Sequence, residues 1–182
     1  FVSTNIAANM ALTCQESVLG GLDIRNPKIH RYIATKNFGV TNYLTSKEAN
    51  IDEFVQKVPE YDNFYVLPSG PIPPNPAELL LNNKVKQMFD ELRQKFDMII
   101  VDSSPMHLVA DTQLVADYAD AFIYIVRANY LDKDMLHLPY SLYQENKLKN
   151  MCVVVNDVNA KDSYYRYKYY SYEYKDDSNA AI

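Results

Sequence analysis

The sequence predicts an α/β fold, a mostly parallel sheet flanked by helices in three layers. Three observations carry that prediction. The stretch Asp97-Met-Ile-Ile-Val-Asp-Ser-Ser-Pro105 contains four consecutive apolar residues, Met98 to Val101. That run is too short for a helix and too unbroken for a strand with one wet face, so it reads as a strand buried on both sides. Four similar strand signals, Ser17–Ile24, Phe64–Leu67, Ala121–Val126 and Met151–Val155, alternate with segments of helical periodicity. Finally, 182 residues are one domain's worth of chain, enough to bury a sizeable core.

The elements follow in order. Val2, Ile6 and Met10, with Ala7 and Ala11, form a helical stripe over Phe1 to Gln15. It opens without a start signal, and the expectation is that the domain begins upstream. The Ser17–Ile24 strand carries Gly20 and Gly21, a sign of close backbone approach, and continues into Asp23, Arg25 and Pro27. A short helix is expected over Lys28–Ala34, and another from Lys47 to Val58 capped by Ser46. After Phe64–Leu67, the prolines between Pro68 and Pro76 hold an extended loop. Asn75, Pro76 and Glu78 then signal a helix start, with Leu81, Val85, Met88, Phe89, Leu92 and Phe96 as its apolar face. Helices are expected again over Thr112–Ala119 and over Leu131–Gln144, the latter kinked or interrupted by Pro139.

Composition excludes several function classes. A net charge of −5 offers no general basic field for nucleic acid. No run approaches the ~18 apolar residues of a membrane span, and nothing resembles a signal peptide. Two cysteines, Cys14 and Cys152, fall in stretches that read as core elements and suit a reducing cytoplasm. His30, His107 and His137 have no metal-ligand spacing. The unusual feature is tyrosine, 16 in all with no tryptophan. Seven of them crowd into Tyr164-Tyr-Arg-Tyr-Lys-Tyr-Tyr-Ser-Tyr-Glu-Tyr174, where no apolar partner face accompanies them.

Three strand ends carry polar side chains: Asp23 with Arg25, Asp102, and Asn156 with Asp157. In open α/β sheets ligands bind outside the carboxyl ends of the strands, so these residues mark a candidate nucleotide edge. Several stretches together then resemble the bacterial protein-tyrosine kinases (BY-kinases) of capsule and exopolysaccharide synthesis, a deviant-Walker P-loop ATPase-like family. They are Gly21-Leu-Asp-Ile-Arg-Asn-Pro27, Leu67-Pro-Ser-Gly-Pro-Ile-Pro-Pro-Asn-Pro-Ala-Glu-Leu79, Ile99-Ile-Val-Asp-Ser-Ser-Pro105, Val126-Arg-Ala-Asn129, Val154-Val-Asn-Asp157 and the tyrosine cluster. The match runs in order along almost the whole chain.

The resemblance implies a P-loop NTPase-like kinase domain over residues 1–158, with a flexible tyrosine-rich tail over 159–182. It implies ATP and Mg²⁺ as cofactors, with Asp102 and Asp23 as the metal-binding carboxylates. Asp23, Asp102 and Arg25 would be catalytic, and Arg127, Asn156 and Asp157 would bind the nucleotide. Tyr164, Tyr165, Tyr167, Tyr169, Tyr170, Tyr172 and Tyr174 would accept phosphate in trans within a ring-like homo-oligomer. It further implies a cytoplasmic domain attached, in cis or through a partner, to an inner-membrane chain-length regulator, opposed by a tyrosine phosphatase and with no nucleic-acid partner. In the family a Gly-x-Gly-Lys-Ser/Thr loop precedes the first helix, so that loop is expected immediately upstream of Phe1. Many relatives also carry an acid at the position of Gly21, which here places more weight on Asp23.

The chemistry suits these residues. Phosphoryl transfer leaves the protein mainly to position groups and neutralise charge, and a phenol of pKa near ~10 is helped by a carboxylate acceptor. Other readings stay open at this point. Asp23 and Arg25 can be a surface ion pair, Asn156 a turn residue and Arg127 a solvated strand-end charge. The tyrosines can form an aromatic strand on another subunit. At the level of the whole chain the alternatives to an autokinase are a switch ATPase without kinase activity and a catalytically silent assembly domain.

Overall fold

The computed structural model describes residues 1–13, 15–106 and 111–159, in two compact units divided between Asp120 and Ala121. In the first unit, helix α1 (Val2–Leu12) leads into strand β1 (Ser17–Gly21). Helix α2 (Val40–Thr45), the two-residue strand β2 (Gln56–Lys57) and strand β3 (Phe64–Leu67) follow. Helices α3 (Pro76–Leu80) and α4 (Lys84–Arg93), strand β4 (Met98–Asp102) and the short helix α5 (Asp111–Leu114) complete it.

The strands form a sheet in the order β2-β3-β1-β4. β1 lies parallel to both neighbours, with Leu19 level with Val66 and Ile100, and β2 is antiparallel to β3. Side chains alternate across a sheet, so successive residues of β1 feed two cores. Val18 joins Leu79 and Leu80 of α3 and Val85, Met88, Phe89 and Leu92 of α4. Leu19 joins Ala7 and Ala11 of α1 with Phe64 and Val66. Helices on both faces of a mainly parallel sheet are the predicted α/β class. At roughly 1.5–3 kcal/mol for each fully buried large aliphatic side chain, these two clusters supply much of what holds β1 central.

Several sequence expectations are corrected. The Lys47–Val58 helix does not form: Ser46 closes α2 rather than opening a helix, and Asn50 caps only a 3-10 turn at Ile51–Glu53. Lys28–Ala34 is likewise only a 3-10 turn, at Ile29–Arg31. The long helix after Pro76 breaks between Leu80 and Lys84, and Leu81 is exposed rather than on its apolar face. In α1 the buried side chains are Ala7 and Ala11, while Val2, Ile6 and Met10 stay at intermediate depth, because small side chains let the helix lie close to β1. The Thr112–Ala119 helix is split into α5 and a 3-10 turn at Ala116–Tyr118. As the edge strand of its sheet, β4 is half-buried along its length rather than enclosed on both faces.

The second unit is a parallel pair, β5 (Phe122–Arg127) and β6 (Met151–Asn156), joined through helix α6 (His137–Gln144). Pro139 does not interrupt α6, because it occupies the first turn, where a missing N–H costs nothing. Leu131–Gln144 instead begins as a 3-10 turn at Lys133–Leu136. Cys152 is exposed in β6 rather than in a core; Cys14 lies outside the described residues. No helix among the described residues is long and apolar enough to cross a membrane.

Candidate functional site

The carboxyl ends of β1 and β4 are level, with Gly21 opposite Asp102. Beyond that point the pairing continues through one atom. The Asp102 carbonyl accepts from Leu22 N at 2.8 Å and Asp23 N at 3.0 Å. Asp23 and Asp102 are thereby carried on two adjoining strand ends with their backbones bonded together. The Asp102 carboxylate accepts from Ser3 Oγ, on the first turn of α1, at 2.9 Å.

Asp23 is buried. Its Oδ1 accepts from Ser104 Oγ at 2.9 Å and from Asn26 N at 3.1 Å. Ser69 Oγ, just past β3, reaches the Asp23 carbonyl at 3.4 Å. Burial of a carboxylate is costly unless it is hydrogen-bonded, and the two donors to Oδ1 answer that cost. Asp23 and Arg25 do not pair with each other. Arg25 makes a two-point contact with Asp111 at the start of α5, Nε to Oδ2 at 2.6 Å and Nη2 to Oδ1 at 3.1 Å. The Asp111 hydrogen bond, followed by the charges of Asp111 and Asp23, raises the Arg25 pKa against the opposing effect of desolvation. Such a fork fixes a guanidinium in plane and orientation.

The first unit therefore brings together Asp23, Asp102 and Arg25. Ser3, Ser104, Asp111 and Thr112 are additional members that sequence reasoning missed. The Asp-Ser-Ser-Pro stretch was a visible signal for Ser104, but Asp111 is separated from Arg25 by 86 positions and has no local signature. Two carboxylates with hydroxyl neighbours are hard oxygen donors, the kind that hold Mg²⁺ together with substrate phosphates rather than in an all-protein cage. Among the described residues no cluster of three or more His, Cys, Asp or Glu suited to a metal occurs.

The second unit holds the remaining site candidates. Arg127 and Asn156 face each other in the β5–β6 register, and Ala128 N donates to the Asn156 carbonyl at 2.9 Å. Arg127 Nε pairs with Asp157 Oδ2 at 2.7 Å, and its guanidinium lies 5.0 Å from the Tyr130 ring centre. Asn129 and Asp157, just past the two strand ends, have left-handed backbone, φ 56° and 60°. An open pocket of about 470 Å³ there is lined by Arg127, Ala128, Asn129, Tyr130, Asp157 and Asn159. His107 and all seven clustered tyrosines, Tyr164 to Tyr174, lie outside the described residues.

No family model matches the chain. Individual relatives do. Tyrosine-protein kinase wzc of Salmonella typhimurium is 27% identical over 180 residues, covering 98% of this chain and 25% of that protein. Tyrosine-protein kinase CpsD of Streptococcus agalactiae (serotype III) is 30% identical over 159 residues, covering 86% of this chain and 68% of CpsD. The chain belongs to the bacterial tyrosine-protein kinase family. The kinase domain of Escherichia coli tyrosine kinase ETK matches with a TM-score of 0.81 at 25% identity, over 90% of this chain and 64% of that structure. This family member thus spans about a quarter of wzc and about two thirds of CpsD.

Proposed function

We propose that this chain is the catalytic part of an ATP- and Mg²⁺-dependent protein-tyrosine autokinase that phosphorylates its own carboxyl-terminal tyrosines in trans. The observation that carries the reading is the pairing of Asp23 and Asp102 at adjoining strand ends, joined through the Asp102 carbonyl. Magnesium, when bound with ATP, neutralises charge on the phosphates. Asp102, oriented by Ser3, and Asp23 are the residues that would hold it. Asp23 also accepts the tyrosine O–H proton as the phenol oxygen bonds to the γ-phosphorus and the bond to the β-phosphate breaks, releasing ADP. Arg25, held by Asp111, supplies fixed positive charge nearby, which favours the spread negative charge of phosphoryl transfer. Asn156 is assigned to reading adenine, since a carboxamide both donates and accepts, with Arg127 and Asp157 beside the nucleotide.

The seven tail tyrosines are the acceptors in this reading. Each phosphate adds roughly −1.5 to −2 charges, so extensive modification favours release of tails from neighbouring subunits by repulsion. The working assembly is a ring-like oligomer on the cytoplasmic side of the inner membrane. It is joined to a chain-length-regulating partner region, reset by a tyrosine phosphatase, and controls capsule or exopolysaccharide synthesis or export.

Intact mass of the full-length protein before and after Mg²⁺-ATP tests this. A ladder of phosphate additions mapping to Tyr164–Tyr174 is expected. Hydrolysis of ATP without mass gain replaces the reading with a switch ATPase, and neither activity replaces it with a silent assembly domain.

A further inference from the structure

The Asp23 carboxylate is held asymmetrically. Ser104 Oγ and Asn26 N both donate to the same oxygen, Oδ1. Ser104 is itself buried. It is fixed from a third direction, because Thr112 Oγ1 donates to the Ser104 carbonyl at 2.8 Å across eight positions. Thr112 follows Asp111, which forks onto Arg25 two residues beyond Asp23. The start of α5 therefore ties down both loops that flank Asp23, one through Thr112 and Ser104, the other through Asp111 and Arg25.

A hydroxyl donating to an ionised oxygen makes a stronger, more directional bond than a neutral pair. With one oxygen held by two donors, rotation of the carboxylate out of this plane breaks both bonds, so its plane is fixed. We propose that Ser104 is a positioning residue for phosphoryl transfer, holding the Asp23 carboxylate in one plane so that its second oxygen stays available to the metal and to the incoming tyrosine hydroxyl. Thr112 holds Ser104 in the place where it does this. The role rests on the proposed tyrosine-kinase activity, in which the phenol proton passes to Asp23 as the oxygen–phosphorus bond forms and ADP leaves.

Ser104→Ala, Ser104→Thr and Thr112→Val, each in the full-length protein, test it by steady-state phosphotyrosine formation. Equilibrium titration with a fluorescent ADP analogue, with and without Mg²⁺, and thermal midpoints accompany the rates. Ser104→Ala should lower kcat roughly tenfold to a hundredfold, the scale of a misplaced catalytic group, while KM for ATP and ADP affinity stay within about threefold of wild type. Ser104→Thr, which keeps the hydroxyl, should recover most of kcat, and Thr112→Val should lower kcat severalfold. Unchanged kcat in Ser104→Ala, or loss in Ser104→Thr equal to that in Ser104→Ala, overturns the positioning role while leaving the kinase reading standing. If Ser104→Ala fails to fold, unchanged kcat in Thr112→Val overturns it. Wild-type protein that transfers no phosphate to tyrosine overturns the kinase reading and the positioning role with it.

Discussion

Gly21 lies so close to Ser69 that a Cβ added to it would stand 2.6 Å from Ser69 Oγ and 2.9 Å from Ser69 N. The loop after β3 therefore leans directly on the end of β1, where it also brings Ser69 to the Asp23 carbonyl. An acidic side chain at this position, which the family resemblance leads one to expect, has no room while that loop stays in place. Gly21→Ala should destabilise the protein by about 1–3 kcal/mol, the usual cost of overpacking, as measured by urea denaturation. Adding Ser69→Ala should recover little, because the backbone nitrogen still obstructs the new methyl. Full recovery in the double variant would assign the conflict to the hydroxyl alone.

Asp102→Asn should abolish tyrosine autophosphorylation and leave the fold intact. The substitution removes a negative charge from the proposed metal site but keeps Oδ1 as an acceptor for Ser3 Oγ. The bonds from Leu22 N and Asp23 N go to the backbone carbonyl and are untouched. Intact mass after Mg²⁺-ATP checks the activity, and a circular dichroism melt checks the fold. Phosphate still gained by this variant would remove Asp102 from the mechanism.

What could be read from the sequence divides along physical lines. β3, β4, β5 and β6 were legible because an apolar run of strand length is a local signal, and Asp102 was legible because it ends such a run. The buried face of α4 was equally plain from Val85, Met88, Phe89 and Leu92. Helix α2 was not. It has only six residues, and Val40, Thr41, Tyr43 and Leu44 are all buried, so no polar face reveals a period. Its start depends on Asn42 Oδ1 accepting from Gly39 N, and on Gly39 itself, where a Cβ would collide with the Pro68 carbonyl. Asp23 and Arg25 were visible as strand-end charges, and Ser104 as part of the Asp-Ser-Ser-Pro stretch, but which residues pair with which was not. Ser104 and Asp111 are chosen by tertiary packing across 81 and 86 positions, which no local pattern encodes.

Asn156→Ala should weaken ATP binding roughly 5- to 30-fold, the value of one or two lost hydrogen bonds, and should narrow the preference for ATP over GTP. Its backbone carbonyl still accepts from Ala128 N, so the strand end should persist. Competition of the two nucleotides against a fluorescent ADP analogue reads both quantities. Unaltered discrimination would move base recognition away from Asn156.

Stability should fall at alkaline pH, and Tyr43 should account for part of the fall. Its ring is fully buried, and its hydroxyl donates to Glu91 Oε1 at 2.9 Å, while Glu91 Oε2 accepts from Ile51 N at 3.0 Å. Burial first, then the Glu91 hydrogen bond and charge, push the phenol pKa well above its ordinary value. Tyr124 is pushed the same way by burial. In the unfolded chain a tyrosine loses its proton near ~10, whereas folded Tyr43 keeps its own. The contribution is therefore complete below about pH 10 and is lost as pH rises from there toward the raised value. The slope from this one group is at most about 1.4 kcal/mol per pH unit. Tyr43→Phe should lower stability by about 1 kcal/mol at pH 8, through the lost bond to Glu91. Between pH 10 and pH 11 (~ one unit of titration) its urea-unfolding free energy should drop less steeply than that of wild type. Parallel curves for the two proteins would show that the Tyr43 phenol ionises alike folded and unfolded.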